Sequence, residues 1–166
     1  MTARLGVSVV LALFLAFAGL SAKAADAPAF EIAGAVDHPA RLTADDLRKL
    51  PAVTATVFFH TGRGGNQATY TGVSLWSLLK TAGVKMTPGV HNDGLHKYIV
   101  AKASDGYYAV IALAELDPEY GGQQAFLAYA QDDKPLDSIR LIMPGDKGGG
   151  RNVMKIAKIE VRGVEP

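Results

Sequence analysis

The sequence contains no cysteine among its 166 residues. This absence excludes disulfide bonds, thiolate metal ligands, haem attached through a C-x-x-C-H motif and a cysteine nucleophile. Stability must therefore come from an ordinary hydrophobic core. The chain also has little charge bias, because 17 Lys and Arg residues stand against 16 Asp and Glu residues.

The one long apolar run lies at the N-terminus. It extends from Leu5 to Leu20, follows Arg4, and leads to Ala22-Lys23-Ala24, a small-x-small pattern typical of a signal-peptidase site. We therefore predict a signal peptide over residues 1–24, cleavage after Ala24 and a periplasmic location. The run is short for a bilayer span, so we expect no membrane insertion after cleavage. With no cysteine at the cleavage site, a bacterial lipoprotein is excluded.

Cleavage would change the charge balance of the mature chain. It removes Arg4 and Lys23, so 15 basic residues remain against 16 acidic ones, a formal net charge of −1. This balance argues against nucleic acid or an anionic membrane surface as the main partner. The remaining residues 25–166 suffice for one self-supporting domain, since a chain of this size buries roughly 68% of its unfolded surface.

Short strands dominate the predicted secondary structure, which indicates an α+β class. Thr43 is predicted to cap a helix that ends at Leu50, and Ser74 a helix that ends at Gly83. A helical turn is predicted at residues 112–116, and a glycine-rich loop at residues 62–66. Strands are predicted at residues 30–36, 53–59, 98–103, 107–111, 125–130, 140–144 and 153–161.

A second glycine-rich loop, residues 145–150, connects the last two predicted strands and precedes Arg151. Glycines let backbone N–H groups turn toward a bound anion, and nearby basic side chains supply charge and donors. The alternative is a long hairpin connection whose glycines only serve the turn. The loop lacks the Gly-Lys-Ser/Thr ending of a phosphate-binding P-loop.

Two further polar segments have a structural and a functional interpretation. Asp105, before Gly106, either caps its own turn or faces a pocket as a polar anchor. His91, Asp93 and His96 offer two imidazoles and a carboxylate, but their spacing matches no familiar metal-binding helix or finger, so we predict no metal there.

Several segments occur in an ordered set that spans residues 30–161. They are Leu42-Thr43 before Leu50-Pro51, Tyr70-Thr71-Gly72-Val73-Ser74-Leu75 before Ala82-Gly83, Ser104-Asp105-Gly106-Tyr107, Leu127-Ala128, Lys134-Pro135-Leu136, and Arg140-Leu141-Ile142-Met143-Pro144. Together with the final strand, this set resembles the oxidoreductase molybdopterin-binding domain family of the sulfite oxidase type. The resemblance implies a mixed β-sheet fold with short peripheral helices. In full family enzymes that fold holds molybdenum through a pterin dithiolene and one cysteine thiolate, and performs oxygen-atom transfer or another two-electron reaction.

Three features depart from the family pattern. The place of the family's cysteine falls at or beside His60, and a neutral imidazole lacks the charge and softness of a thiolate. Family enzymes tend to show two basic residues in the last strand, but here Arg151 is followed by Met154 at the second position. Lys155, one step later, would face the other side of the sheet unless a bulge intervenes. The signal also lacks the twin arginines that export a folded, cofactor-loaded protein.

We therefore favour an exported binding or accessory module, poor in cofactor or free of it, with a residual pocket for a small anion or pterin-like ligand. In this hypothesis Arg63 and Arg151 clamp an oxyanion. The alternative is a molybdopterin-dependent oxidoreductase with a non-cysteine metal environment, and a third possibility is a partner protein in a membrane redox chain that uses an exposed strand edge or the Tyr-rich turn. The candidate cofactor-binding residues are His60, Arg63, Asp105, Arg140, Lys147 and Arg151.

Overall fold

A computed structural model describes residues 28–62 and 64–164 of the chain, apart from the side chains of Thr61 and Asn66. The predicted signal peptide and Arg63 lie outside the described residues. Within the described part, none of the helices has the length and apolar character needed to cross a membrane.

Nine strands and three short α-helices make up the described regular structure, together with two 3₁₀ helices. The strands are β1 Ala29–Gly34, β2 Ala40–Thr43, β3 Val53–Thr61, β4 Gly64–Ser74, β5 Lys97–Ala103, β6 Tyr108–Ala112, β7 Phe126–Gln131, β8 Lys134–Ile142 and β9 Ile156–Gly163. The helices are α1 Ala44–Arg48, α2 Leu75–Ala82 and α3 Leu113–Leu116, and the 3₁₀ helices are Asp93–His96 and Gly149–Arg151.

The strands form two sheets. The first sheet has five strands in the order β2-β1-β9-β5-β6, in which β1 and β9 run parallel and the other pairs run antiparallel. The second sheet has four antiparallel strands in the order β3-β4-β7-β8. The predicted α+β class, with a mixed sheet and short peripheral helices, is confirmed.

The main core lies between the first sheet, the helices and one face of β7 and β8. Successive residues of β7 point to opposite faces, so Leu127 enters the main core while Phe126 and Ala128 enter a second, smaller cluster. That cluster also contains Val57, Phe59, Ala68, Tyr70 and Ile142.

The second sheet contributes residues from all four of its strands to this smaller cluster. Its edge strands are β3 and β8, and the chain that leaves β8 returns to β3 at a parallel bridge between His60 and Gly148. The His60 backbone N–H donates to the Lys147 carbonyl at 2.8 Å. The glycine-rich segment is thereby fixed against the end of β3.

The caps predicted for the first two helices are present. Thr43 and Asp46 form a capping box, with the Asp46 N–H 3.2 Å from the Thr43 hydroxyl and the Thr43 N–H 3.0 Å from the Asp46 carboxylate. At α2, the Ser74 hydroxyl accepts from the Ser77 N–H at 3.3 Å, and Gly83 ends the helix with φ at 68°.

Two loop predictions were wrong. Residues 64–66 pair with β3 and belong to β4, and Gly64 begins that strand with a positive φ of 112°. The hairpin interpretation of residues 145–150 also fails, since β8 lies in the second sheet and β9 in the first. The last strand begins only at Ile156, after a 3₁₀ turn at Arg151 and a positive φ of 53° at Lys155.

Candidate functional site

The crossover between the two sheets forms one wall of an open cleft of about 580 Å³. The opposite wall is the tight turn between β5 and β6. The residues that line this loop cleft are Asp105, Tyr107, Gly149, Gly150, Asn152 and Met154. Two hydrogen bonds join the walls: the Ser104 N–H donates to the Lys155 carbonyl at 2.9 Å, and the Tyr107 hydroxyl donates to the Gly150 carbonyl at 2.7 Å.

Close packing on β3 sets the position of the glycine-rich wall. A Cβ atom at Gly149 would lie 2.7 Å from the Phe59 ring, closer than any side chain tolerates. Gly148 has open space around the same position. The missing side chain of Gly149 therefore allows the glycine-rich segment to pack against β3. At Gly148 there is room for a side chain, so glycine is not needed there.

Asn152 lines the loop cleft and carries a buried amide nitrogen. Its Oδ1 atom accepts from the Met143 N–H at 2.7 Å, which fixes the orientation of the amide. Its Nδ2 atom is buried, with no hydrogen-bond partner among the described residues. A buried donor without a partner costs about 1–3 kcal/mol, so this amide, which exposes almost no surface in the structure, would be stabilised by an acceptor brought against it.

Arg151 is held by two carboxylates of this chain. Its Nε and Nη2 atoms donate to Asp146 at 2.9 and 2.7 Å, and its Nη1 atom donates to both Glu115 oxygens at 3.2 and 3.1 Å. The hydrogen bonds to Asp146, followed by the charges of both carboxylates, raise the pKa of Arg151 even further above its ordinary value. We call Glu115, Asp146 and Arg151 the Arg151 cluster; it carries a net charge of −1.

Of the other predicted site residues, Asp105 lines the loop cleft, whereas His60 and Lys147 lie at the bridge between β3 and the glycine-rich segment and do not line it. Asp105 caps its own turn, since its Oδ1 accepts from the Tyr107 N–H at 3.2 Å, and it is also one of the residues that line the cleft. His60 is exposed, and its ring packs edge-on against Phe58 with 5.1 Å between centroids. Lys147 is exposed next to the bridge with β3.

Arg140 lies elsewhere, on the second sheet. Its Nη1 atom donates to the Tyr70 hydroxyl at 2.9 Å and to Gln131 Oε1 at 3.3 Å. Its guanidinium also lies over the Tyr70 ring, 5.6 Å from the centroid. Arg140 does not line the loop cleft, so the structure does not bring the predicted residues together in one pocket.

Met154 occupies the position at which family enzymes tend to have the second basic residue of the last strand. Met154 is half exposed and lines the cleft, whereas Lys155 does not. A register shift does occur opposite Lys102 and Ala103, beyond Lys155 in the chain. That bulge does not return Lys155 to the cleft.

The described residues contain no group of three or more His, Asp or Glu side chains arranged to hold a metal ion. In the His91–His96 region, Asp93 is instead buried against Lys97, with 2.8 Å between carboxylate and ammonium. The Thr87 N–H donates to the same carboxylate at 2.6 Å. These contacts hold the pKa of Asp93 below its usual value, and the hydrogen bond from Lys97 has the largest effect.

Comparison with known proteins gives a sequence-family match and a structural match. The profile of the oxidoreductase molybdopterin binding domain matches residues 19–165. Among solved structures, the sulfane dehydrogenase SoxCD from Paracoccus pantotrophus is similar with a TM-score of 0.66 and 21% identity over 83% of this chain. This chain spans only 39% of that protein's chain. No curated protein sequence gives a significant match. The predicted family and its sulfite oxidase-type fold are confirmed.

Proposed function

We propose that this chain, which belongs to the oxidoreductase molybdopterin-binding domain family, is an exported binding or accessory module that works without a molybdenum centre. The observation that carries the proposal is the internal neutralisation of Arg151. The only basic side chain aligned with the family's pair in the last strand has its donors committed to Asp146 and Glu115. The export part of the proposal is supported by the signal pattern of residues 1–24.

The donor set does not fit a molybdenum centre. A dithiolene-bound molybdenum takes an anionic, soft protein ligand, and the sequence has no cysteine. His60, near the family's cysteine position, offers an imidazole nitrogen that lacks the negative charge and the softness of a thiolate, and its exposed ring is packed against Phe58. We therefore derive no redox step for this chain.

The charges around the loop cleft also disfavour a strongly anionic group. The Arg151 cluster has a net charge of −1, so a phosphate would have to displace a bidentate carboxylate before Arg151 could bind it. Lys147 is the remaining described cation of the glycine-rich segment. The residual anion pocket that we propose therefore accepts at most a singly charged ligand, held by the backbone of the loop, with Lys147 outside the cleft as the nearest uncommitted cation of that segment.

The lining of the cleft suggests the chemistry of that ligand. Asn152 Nδ2 supplies one donor, and the carboxylate of Asp105 supplies an acceptor. The half-exposed side chains of Tyr107 and Met154 provide apolar contact for a flat ring. A small heterocycle with a carbonyl or carboxylate oxygen and an N–H edge, such as a pterin-like compound without metal, satisfies all three features.

Titration calorimetry with pterin-6-carboxylate tests this site. Asn152→Asp keeps the oxygen that accepts from Met143 but replaces the Nδ2 donor with an acceptor, so we expect at least a tenfold loss of affinity. Asn92→Asp, in a remote loop, is the matched control and should bind as the wild type does. Equal affinities for all three proteins, or no binding to any, would contradict the proposed site.

A further inference from the structure

Resting on the accessory role proposed above, we infer that the outer face of the first sheet docks an acidic partner protein. We call this surface the basic face; it consists of Lys102, Lys158, Glu160 and Arg162 with Tyr108 and Val110 beside them. Strand register places these residues together. Lys102 lies opposite both Lys158 and Tyr108, while Glu160 and Val110 both lie opposite Val100.

Three cations of the basic face converge on one carboxylate. Glu160 lies 2.7 Å from Arg162, 3.2 Å from Lys102 and 3.8 Å from Lys158. The three positive charges and one negative charge give this group a net charge of +2. These cations have no other ion pair in the described part of the chain, and each of their side chains is at least 34% exposed. Like charges held this close repel one another, so an added negative group would be favourable.

The surplus contrasts with the rest of the protein. The mature chain predicted here has a net charge of −1, so the remaining residues together carry −3. Such segregation of charge produces a local positive field on a protein that is acidic elsewhere. A surplus of two charges is small for nucleic acid, which is bound through many phosphate contacts, but it suits an acidic patch on a protein.

An exposed apolar strand adjoins these charges. β6 is the edge of the first sheet, and its exposed residues Tyr108 and Val110 are 61% and 50% accessible. The strand carries no charged residue and no proline, the usual features that protect an edge from pairing. At the opposite edge, by contrast, β2 carries Arg41. Aromatic and apolar side chains beside a complementary charge are typical of a protein interface.

Site-specific photo-crosslinking of the full chain in its native cells tests this inference. The probe is p-benzoylphenylalanine in place of Tyr108, with the same probe in place of Tyr120 as the control, since Tyr120 is 55% exposed and belongs to the loop between α3 and β7 rather than to the first sheet. Each probe is combined with Lys158→Glu or, as a charge control, with Lys80→Glu on α2. Circular dichroism checks folding, and the milder pair Lys158→Gln with Arg162→Gln replaces any variant that does not fold.

We expect one major adduct from position 108, reduced at least tenfold by Lys158→Glu and unchanged by Lys80→Glu. The captured protein should be acidic, and its affinity in purified form should fall as salt rises. The inference is overturned by no adduct, by an equal adduct from position 120, by insensitivity to the charge of residue 158, or by binding of vesicles of phosphatidylglycerol in place of a protein. Molybdenum in the purified protein would instead refute the proposed function, so the two failures are distinguishable.

Discussion

Arg151 provides a sharp test of the account, because two of its interpretations predict opposite results. If Arg151 is an anion clamp, its removal weakens binding and leaves stability unchanged. In the structure, it instead ties Asp146 of the glycine-rich segment to Glu115 of α3. Arg151→Met should therefore destabilise the fold, since it leaves Asp146 with a side chain only 16% exposed and without a counter-ion.

The magnitude follows from exposure. Hydrogen bonds to charged groups contribute about 1.5–3 kcal/mol when buried. The Arg151 and Glu115 side chains are 35% and 44% exposed, so solvent screening reduces this figure, and we expect a loss of about 1.5–2 kcal/mol for Arg151→Met. Asp146→Asn should cost about 1 kcal/mol and Glu115→Gln about 0.5 kcal/mol, in the order of their burial.

Urea unfolding followed by circular dichroism measures these differences. A loss of 1 kcal/mol corresponds to a decrease in melting temperature of roughly 2–4 °C in a domain of about this size. Arg41→Met is the matched control, because Arg41 forms only a long, exposed ion pair with Glu31 at 3.9 Å. If Arg151→Met changed the free energy of unfolding no more than Arg41→Met did, while pterin-6-carboxylate binding fell tenfold, the structural role would be refuted and Arg151 would be a ligand anchor.

Further predictions concern packing and pH. Gly149→Ala places a Cβ atom against the Phe59 ring and should cost about 1–3 kcal/mol of stability, whereas Gly148→Ala should cost less than about 0.5 kcal/mol; equal melting temperatures would contradict the packing. Asp93 has a lowered pKa in the folded state, so the unfolded state binds more protons in acid and the stabilisation by its pair with Lys97 is lost as pH falls. The difference in free energy of unfolding between wild type and Lys97→Met should be largest above about pH 5 and should narrow below about pH 4; a gap that does not vary with pH would refute this interpretation.

Local signals in the sequence predicted much of the fold. Thr43 with Asp46 and Ser74 with Gly83 define two helices by capping chemistry, which depends on only a few neighbouring residues. The turn at residues 104–106 and the strands on either side of it were likewise predicted from neighbouring residues alone. Predictions of this kind succeed where the structure is decided within one turn of the chain.

The errors arise where distant residues decide the structure. Residues 64–66 were predicted to be a loop because glycines disfavour strands, but their pairing with β3 makes them part of β4. The glycine-rich crossover looked like a hairpin because no local signal tells whether β8 and β9 pair with each other or belong to different sheets. In both cases the structure is decided by strand pairing between residues that are distant in the sequence.

The candidate site was predictable only in part. Asp105 was identified from its turn, and it does line the loop cleft. Asn152 was missed, because its significance depends on the Met143 N–H that orients its amide and on the burial that isolates its Nδ2 atom. The commitment of Arg151 to Glu115, 36 residues away, likewise has no signal in the local sequence.

Elemental analysis for molybdenum, combined with pterin extraction, tests the central claim most directly. The material must be the protein purified from its native cells rather than from a foreign host, so that any native cofactor is available during its synthesis. The absence of a thiolate and the internal neutralisation of Arg151 predict a protein without bound molybdenum. One molybdenum per chain would contradict the account and would make His60 the first ligand to replace.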